Sequence, residues 1–189
     1  MGEDSLSTFK ERFLPSPFIL LDRDGTLIKH IHYLHDPKRV ELLPGVITGL
    51  QYLFNLGFNF GVITNQSLIG RGIATNEEVN SVNAEVSRLL LHEGISLAFT
   101  FVCPHAPSDG CSCRKPAPAL GLKAIHDFGI DLSRSFMLGD QPSDIAFGHA
   151  IACKAVLLSD KLNSTSNADY NCKTLLDAAH WIETELSRS

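Results

Sequence analysis

Asp22 and Asp24 stand two residues apart at the end of an apolar run, Phe18-Ile19-Leu20-Leu21, and a Gly25-Thr26 turn follows them. A run of this kind reads as a buried strand, and the glycine marks its end. Alternate residues of a strand share a face, and past its end the backbone can re-aim side chains. The two acids are therefore expected together at the carboxyl end of the first strand, where open α/β sheets take their ligands. Two carboxylates this close repel unless a proton or a cation intervenes, and a hard divalent ion such as Mg²⁺ supplies the cation. An isolated Asp-x-Asp reads first as a strand end with two solvated acids. The strand before it and the Gly-Thr turn after it favour the chemical reading.

Cys103, His105, Cys111 and Cys113 form a second constellation, two pairs of soft donors joined by a short loop of turn residues. Thiolate and imidazole suit Zn²⁺, and four of them close a tetrahedral site that leaves no position for water, hence a structural one. The one-residue spacing within each pair is too tight for a regular zinc finger. The alternatives are a reduced Cys-rich loop or a strained Cys111–Cys113 disulfide. Cys153 reads as a buried thiol. His30, His32 and His35 fall within six residues, but no thiol or carboxylate pattern completes a ligand set, so 29–40 reads as a mobile loop over the site.

Four more stretches carry polar groups of interest. Thr64 and Asn65 follow a strand at 58–63, and a hydroxyl, an amide and backbone N–H groups at a strand tip can grip phosphate oxygens. Arg71 between Gly70 and Gly72 is either a bidentate phosphate donor or an exposed loop arginine. Arg114-Lys115-Pro116 places a lysine at an expected helix entrance, with Pro116 in the first turn, where it can offset the charge of a bound phosphate. Asp140 and Asp144 follow a strand at 135–138. Asp144 or Ser143 can cap the helix expected at 145–151, and Asp144 can also support a metal shell.

Five apolar segments position these residues: 18–21, 58–63, 97–102, 135–138 and 153–158. They alternate with helical patterns, which predicts a parallel, doubly wound α/β sheet. Val46, Leu50, Leu53 and Phe54 carry the helix opened by Pro44-Gly45. Thr75 and Glu78 have capping-box spacing, and Val79, Val82, Val86, Leu89 and Leu90 behind them read as core. Residues 159–171 read as a polar loop in which Asp169 adds only solubility, and 173–186 as a closing amphipathic helix. Residues 1–17 are expected to be a tail and 18–189 a single domain, with a small cap because no large insertion is visible. The 189 residues are 44% hydrophobic and 20% charged, as in ordinary globular chains. A net charge of −5 gives no footprint for nucleic acid. No run is long enough to span a bilayer and no signal-peptide pattern appears, so a cytoplasmic location is expected, in which clustered cysteines indicate metal before disulfide.

Asp22-Arg23-Asp24-Gly25-Thr26 after an apolar strand resembles the first motif of the haloacid dehalogenase superfamily of phosphatases. Thr64 matches the second motif, Lys115 the third, and Gly139-Asp140 with Asp144 the fourth; the resemblance covers about residues 18 to 158. Within the superfamily the chain resembles the D-glycero-D-manno-heptose 1,7-bisphosphate phosphatase branch, with the histidinol-phosphate phosphatase branch beside it. Ser67, Arg71 and Gly72 fit the Ser-Gly-x-Ala-Arg-Gly segment of the heptose branch, from which Leu68 and Gly70 depart. The short Cys loop is nearer the histidinol branch. Tyr33 corresponds to a tyrosine-bearing flap in the heptose phosphatases.

The resemblance implies a Rossmann-like sheet with a minimal cap and a zinc-binding loop, and Mg²⁺-dependent phosphomonoester hydrolysis through an aspartyl-phosphate. It makes Asp22 the nucleophile and Asp24 the acid, then base. It assigns Mg²⁺ to Asp22, the backbone carbonyl of Asp24, and Asp140, with Asp144 in support. Thr64, the backbone at Asn65, and Lys115 would hold the transferring phosphate, and Arg71 and Arg114 the rest of the substrate. The implied substrate is heptose bisphosphate losing its 7-phosphate, with histidinol phosphate as the alternative. A monomer acting on a small molecule is expected. A non-catalytic sugar-phosphate or metal-binding protein on the same fold is the alternative of another class. The Asp22–Asp24 pair argues against it, since a binding module needs no nucleophile.

Overall fold

The computed structural model describes residues 15–160 and 167–188. Residues 1–14 of the expected tail lie outside them. Strand β1 (Phe18–Leu21) is buried along its whole length because each of its faces meets a core. Ile19 and Leu21 pack into one cluster, Phe18 and Leu20 into another. An unbroken apolar run is what a strand covered on both faces requires. From β1 the chain steps outward to β2 (Asn59–Asn65) and β3 (Leu97–Cys103), then returns past β1 to β4 (Phe136–Gly139), β5 (Lys154–Leu158) and β6 (Tyr170–Cys172). The sheet order is β3-β2-β1-β4-β5-β6, and every pairing is parallel. The reversal of direction opens a crevice at the carboxyl end of β1, between β2 and β4.

Helices α1 (Val46–Asn55), α3 (Asn76–His92) and α6 (Leu175–Leu186) contribute Leu50, Leu53, Val82, Val86, Leu90 and Ile182 to the cluster on one face. Helices α4 (Ala119–Phe128) and α5 (Pro142–Ala150) contribute Ala124, Ile145 and Phe147 to the other. Each buried Val, Leu, Ile or Phe among them stabilises the fold by about 1.5–3 kcal/mol relative to exposure. The single turn α2 (Ser67–Gly70) follows β2. The expected capping box at the start of α3 is formed: Thr75 Oγ1 accepts from Glu78 N at 3.2 Å, and Glu78 Oε2 from Thr75 N at 2.8 Å. No helix among the described residues is long and apolar enough to cross a membrane.

Three expectations need correction. The sheet has six strands, because the stretch read as a polar loop ends in β6, whose three residues are too few to display a period. Helix α4 begins at Ala119, so Lys115 and Pro116 precede the helix; the Lys115–Pro116 bond is cis, and Lys115 is held by a side chain from β2 described below. Asp169 does more than keep the surface polar. Its backbone N–H donates to Ala155 O at 2.9 Å, and its Oδ2 accepts from Ala155 N at 2.7 Å and contacts His149 Nε2 at 2.9 Å. It therefore docks the approach to β6 onto β5 and onto the end of α5. Residues 15–17 are also joined to the body: Ser16 N donates to Gly129 O and Ser16 O accepts from Asp131 N.

Burial opposes ionisation of Asp169, but the Ala155 amide, His149 and Lys154 outweigh it and hold the carboxyl below its ordinary value. A depressed folded value means that its stabilisation is present above the ordinary aspartate range, near pH ~4, and is lost as pH falls through the depressed value. Asp169→Ala is expected to lower the urea midpoint at pH 7, and the gap to wild type is expected to narrow as unfolding is followed towards pH ~3. A gap that stays constant with pH would contradict this assignment.

Candidate active site

Four strand ends converge on the crevice. Asp22 directly follows β1, and its backbone N–H donates to Leu138 O of β4 at 3.0 Å. Two residues beyond Leu138 stands Asp140, and α5 then brings in Asp144. Oxygens of Asp22, Asp140 and Asp144 lie within 4.8 Å of one another. The approach is possible because Gly25 turns the chain at φ +84°; a Cβ there would lie 2.4 Å from Asp140 Oδ2.

Lys115 reaches into this cluster from the loop after β3. Its Nζ donates to Asp22 Oδ1 at 2.6 Å and to Ile63 O, and lies 2.8 Å from Asp144 Oδ1. Burial works to discharge the ammonium, but the carboxylates of Asp22 and Asp144 outweigh it and raise its pKa above the ordinary value. Burial also raises Asp144, with Lys115 opposing and Asp22 adding to the effect. Asp140 has no such cation: burial, with the charges of Asp22 and Asp144, pushes it up to about 6 against the hydrogen bond from Gln141. Three carboxylates around one ammonium leave excess negative charge, and Asp140 Oδ1 is buried with no partner. Hard oxygen donors in this arrangement fit Mg²⁺. Asp144 serves twice, since its Oδ2 also accepts from Gln141 N at 3.0 Å at the start of α5.

A cavity of about 550 Å³ opens above these groups, lined by Asp22, Asp24, Thr64, Lys115, Arg71 and Arg114 together with the 30–34 loop. That loop stands over the site as expected, with Leu34 buried beneath it. Tyr33 adopts φ 54°, and its ring lies 3.8 Å from that of His32. The Asn65 side chain has a task the sequence did not reveal. Its Oδ1 accepts from Lys115 N at 3.0 Å and its Nδ2 donates to Lys115 O at 3.1 Å, which fixes the lysine backbone against the tip of β2. Asn65 also lines the cavity.

Cys103, His105, Cys111 and Cys113 come together as the spacing suggested. Cys113 Sγ is 3.2 Å from both Cys103 Sγ and His105 Nδ1 and 3.5 Å from Cys111 Sγ; Cys103 Sγ is 3.6 Å from Cys111 Sγ. Sulfurs around a tetrahedral zinc stand about 3.8 Å apart, given Zn–S bonds of about 2.3 Å. The thiols are free, not paired as disulfides, so the donor set and spacing fit zinc. The loop passes straight into Arg114 and Lys115. Gly70 lets α2 touch it: Gly70 N donates to Pro104 O at 2.8 Å, and a Cβ at Gly70 would lie 2.8 Å from that oxygen.

Asp22, Asp24, Thr64, Asn65, Arg71, Arg114, Lys115, Asp140 and Asp144 thus line one crevice, and the four Cys and His donors form a separate cluster beside it. Three polar residues at its floor were missed. Arg23, Gln66 and Asn83 are buried. Asn83 carried a signal, as the one amide among the apolar positions of α3 at helical spacing.

The HAD-hydrolase-like family profile matches residues 112–178. The chain is 35% identical over 167 residues to D-glycero-beta-D-manno-heptose-1,7-bisphosphate 7-phosphatase of Helicobacter pylori, covering 87% of this chain and 96% of the relative. It is 33% identical over 173 residues to the protein of that name from Yersinia pestis, covering 85% and 92%. Among solved structures it is similar to D,D-heptose 1,7-bisphosphate phosphatase of B. bronchiseptica complexed with magnesium and phosphate, with TM-score 0.81, 25% identity, and 89% and 99% of the two chains covered. With relatives of this identity spanned almost end to end, and a fold and carboxylate crevice that agree, the chain belongs to the haloacid dehalogenase-like phosphatases and is a phosphoric monoester hydrolase.

Proposed function

We propose that the chain removes the 7-phosphate of D-glycero-D-manno-heptose 1,7-bisphosphate through an aspartyl-phosphate on Asp22. The observation that carries the chemistry is the meeting of Asp22, Asp140, Asp144 and Lys115 at the end of β1, beside an Asp24 that lines the same cavity. The heptose reading is supported by the activity for which the relatives are named and by Arg71 and Arg114 on the cavity wall, which suit a second phosphate.

Asp22 attacks phosphorus in line with the sugar oxygen, and Asp24 gives that oxygen a proton as it departs. Lys115 stays charged between Asp22 and Asp144 and faces the phosphoryl oxygens, with Thr64 and the Asn65 main chain on their other side. Asp24, now a carboxylate, then takes a proton from the water that attacks the phosphoenzyme. Mg²⁺, for which Asp22, the Asp24 carbonyl and Asp140 are the proposed ligands and Asp144 the support, would offset the negative charge that otherwise separates carboxylate from phosphate. Zinc on Cys103, His105, Cys111 and Cys113 would fix the loop that delivers Arg114 and Lys115. A reducing, cytoplasmic setting and a monomer belong to the same reading.

Mg²⁺-dependent phosphate release, compared for both anomers of heptose 1,7-bisphosphate and for histidinol phosphate, tests the substrate; faster release from histidinol phosphate would replace the heptose reading. Asp22→Asn is expected to lower kcat by on the order of 10⁴-fold or more while circular dichroism still shows a folded chain; turnover at the wild-type rate would refute the nucleophile. Elemental analysis is expected to find about one zinc per chain, whereas no zinc together with freely alkylated Cys103 and Cys113 would remove the metal loop from the account.

A further inference from the structure

Arg23 is the largest fully buried side chain among the described residues, at 1% exposure. An enclosed guanidinium is costly unless its donors are occupied. Its Nη1 donates to Asn83 Oδ1 at 2.7 Å and its Nε donates to Asp24 Oδ2 at 3.0 Å, while its Nη2 makes no hydrogen bond and is offset only by the ion-pair contact with the same oxygen at 2.9 Å. Asn83 lies on the buried side of α3 among Val79, Val82, Val86 and Leu90. On that apolar face its amide oxygen holds the far edge of Arg23. Gln66 reaches Asp24 Oδ2 from the β2 side at 2.8 Å, and the same Nε2 donates to Thr64 Oγ1 at 2.8 Å.

The two oxygens of Asp24 are therefore unequal. Oδ2 accepts two hydrogen bonds and an ion-pair contact, which occupies its lone pairs. Oδ1 is buried with no partner. We propose that Arg23, anchored by Asn83, and Gln66 are positioning residues that grip the Asp24 carboxylate by its Oδ2 and so fix its orientation at the cavity. The inference rests on the phosphatase reading above. As an Asp22 oxygen bonds to phosphorus, the bond from phosphorus to the leaving oxygen breaks, its electron pair stays on that oxygen, and the proton of the oriented Asp24 carboxyl moves there. In the second half-reaction the attacking water returns a proton to Asp24 as its oxygen bonds to phosphorus and the Asp22–phosphorus bond breaks. Without Asn83, Nη1 would be buried and unpaired, so Arg23 would turn to another acceptor and release Asp24 from its orientation. A displacement of about 1 Å at a reacting group can cost about 10²-fold in rate.

A sugar oxygen leaves poorly without a proton, whereas p-nitrophenolate leaves without one. The ratio of kcat/KM for the sugar phosphate that wild type hydrolyses fastest to that for p-nitrophenyl phosphate therefore reads the acid alone. A smaller folded fraction divides both terms equally. Asn83→Leu keeps the volume on α3 and is expected to lower kcat/KM for the sugar ester by about 10- to 100-fold and for the aryl ester by less than about threefold. Asn83→Asp, which keeps an acceptor for Arg23, is expected to restore the ratio. Gln66→Met, at the cavity edge, is expected to shift it in the same direction and serves if Asn83→Leu does not fold. An unchanged ratio in these variants, with Asp22→Asn inactive, overturns the positioning role alone. Wild-type turnover of both esters by Asp22→Asn overturns the phosphatase reading and this inference with it.

Discussion

The site depends on one electrostatic constraint: three carboxylates are held at the carboxyl end of a buried strand, and one enclosed ammonium is set among them. Lys115 can stay charged there only because Asp22 and Asp144 touch it, and those two acids can stay close only because Lys115 lies between them. Asp140 is left over, with burial and like charge both working against its ionised form. The crevice is therefore built to hold more positive charge than the chain supplies. That imbalance links the fold to the chemistry, because a phosphate monoester brings further negative charge and makes the same demand.

The sheet order explains why residues so far apart in sequence can share this constraint. β1 lies between β2 and β4, so the ends of the first, second and fourth strands open on one crevice. The lysine comes from the loop after β3, an outer strand, and must be carried inward. Two devices do this. The Cys103–Cys113 loop shapes the path, and the Asn65 side chain clasps the Lys115 main chain on both its N–H and its C=O. The lysine is thus placed by its backbone before its side chain meets any acid.

Much of this was legible in the sequence. The apolar run into Asp22 and Asp24 identified the central strand and the first two acids, and the Cys and His spacing identified the second cluster. Where the reading failed, the governing interaction was tertiary. Tyr170–Cys172 pairs because Asp169 docks it to β5, and no periodicity fits in three residues. Pro116 looked like a helix opener, yet Lys115 is committed to Asn65 and α4 waits until Ala119. Arg23 sits in the middle of the most informative motif and was passed over, because an arginine flanked by two aspartates reads as solvated until the fold encloses it. Asn83 shares the spacing of the apolar stripe on α3 but is a single polar residue beside it, which carries no chemistry until Arg23 is seen against it.

Gly70 joins two parts of the site that the sequence keeps separate. With no side chain there, the turn after β2 lies against the main chain of the cysteine loop at Pro104 and Ala106. The two loops that flank the cavity are consequently one mechanical piece. A bulkier residue at this seam would act as a wedge between the two backbones, shifting the turn that carries Arg71 against the loop that leads to Arg114.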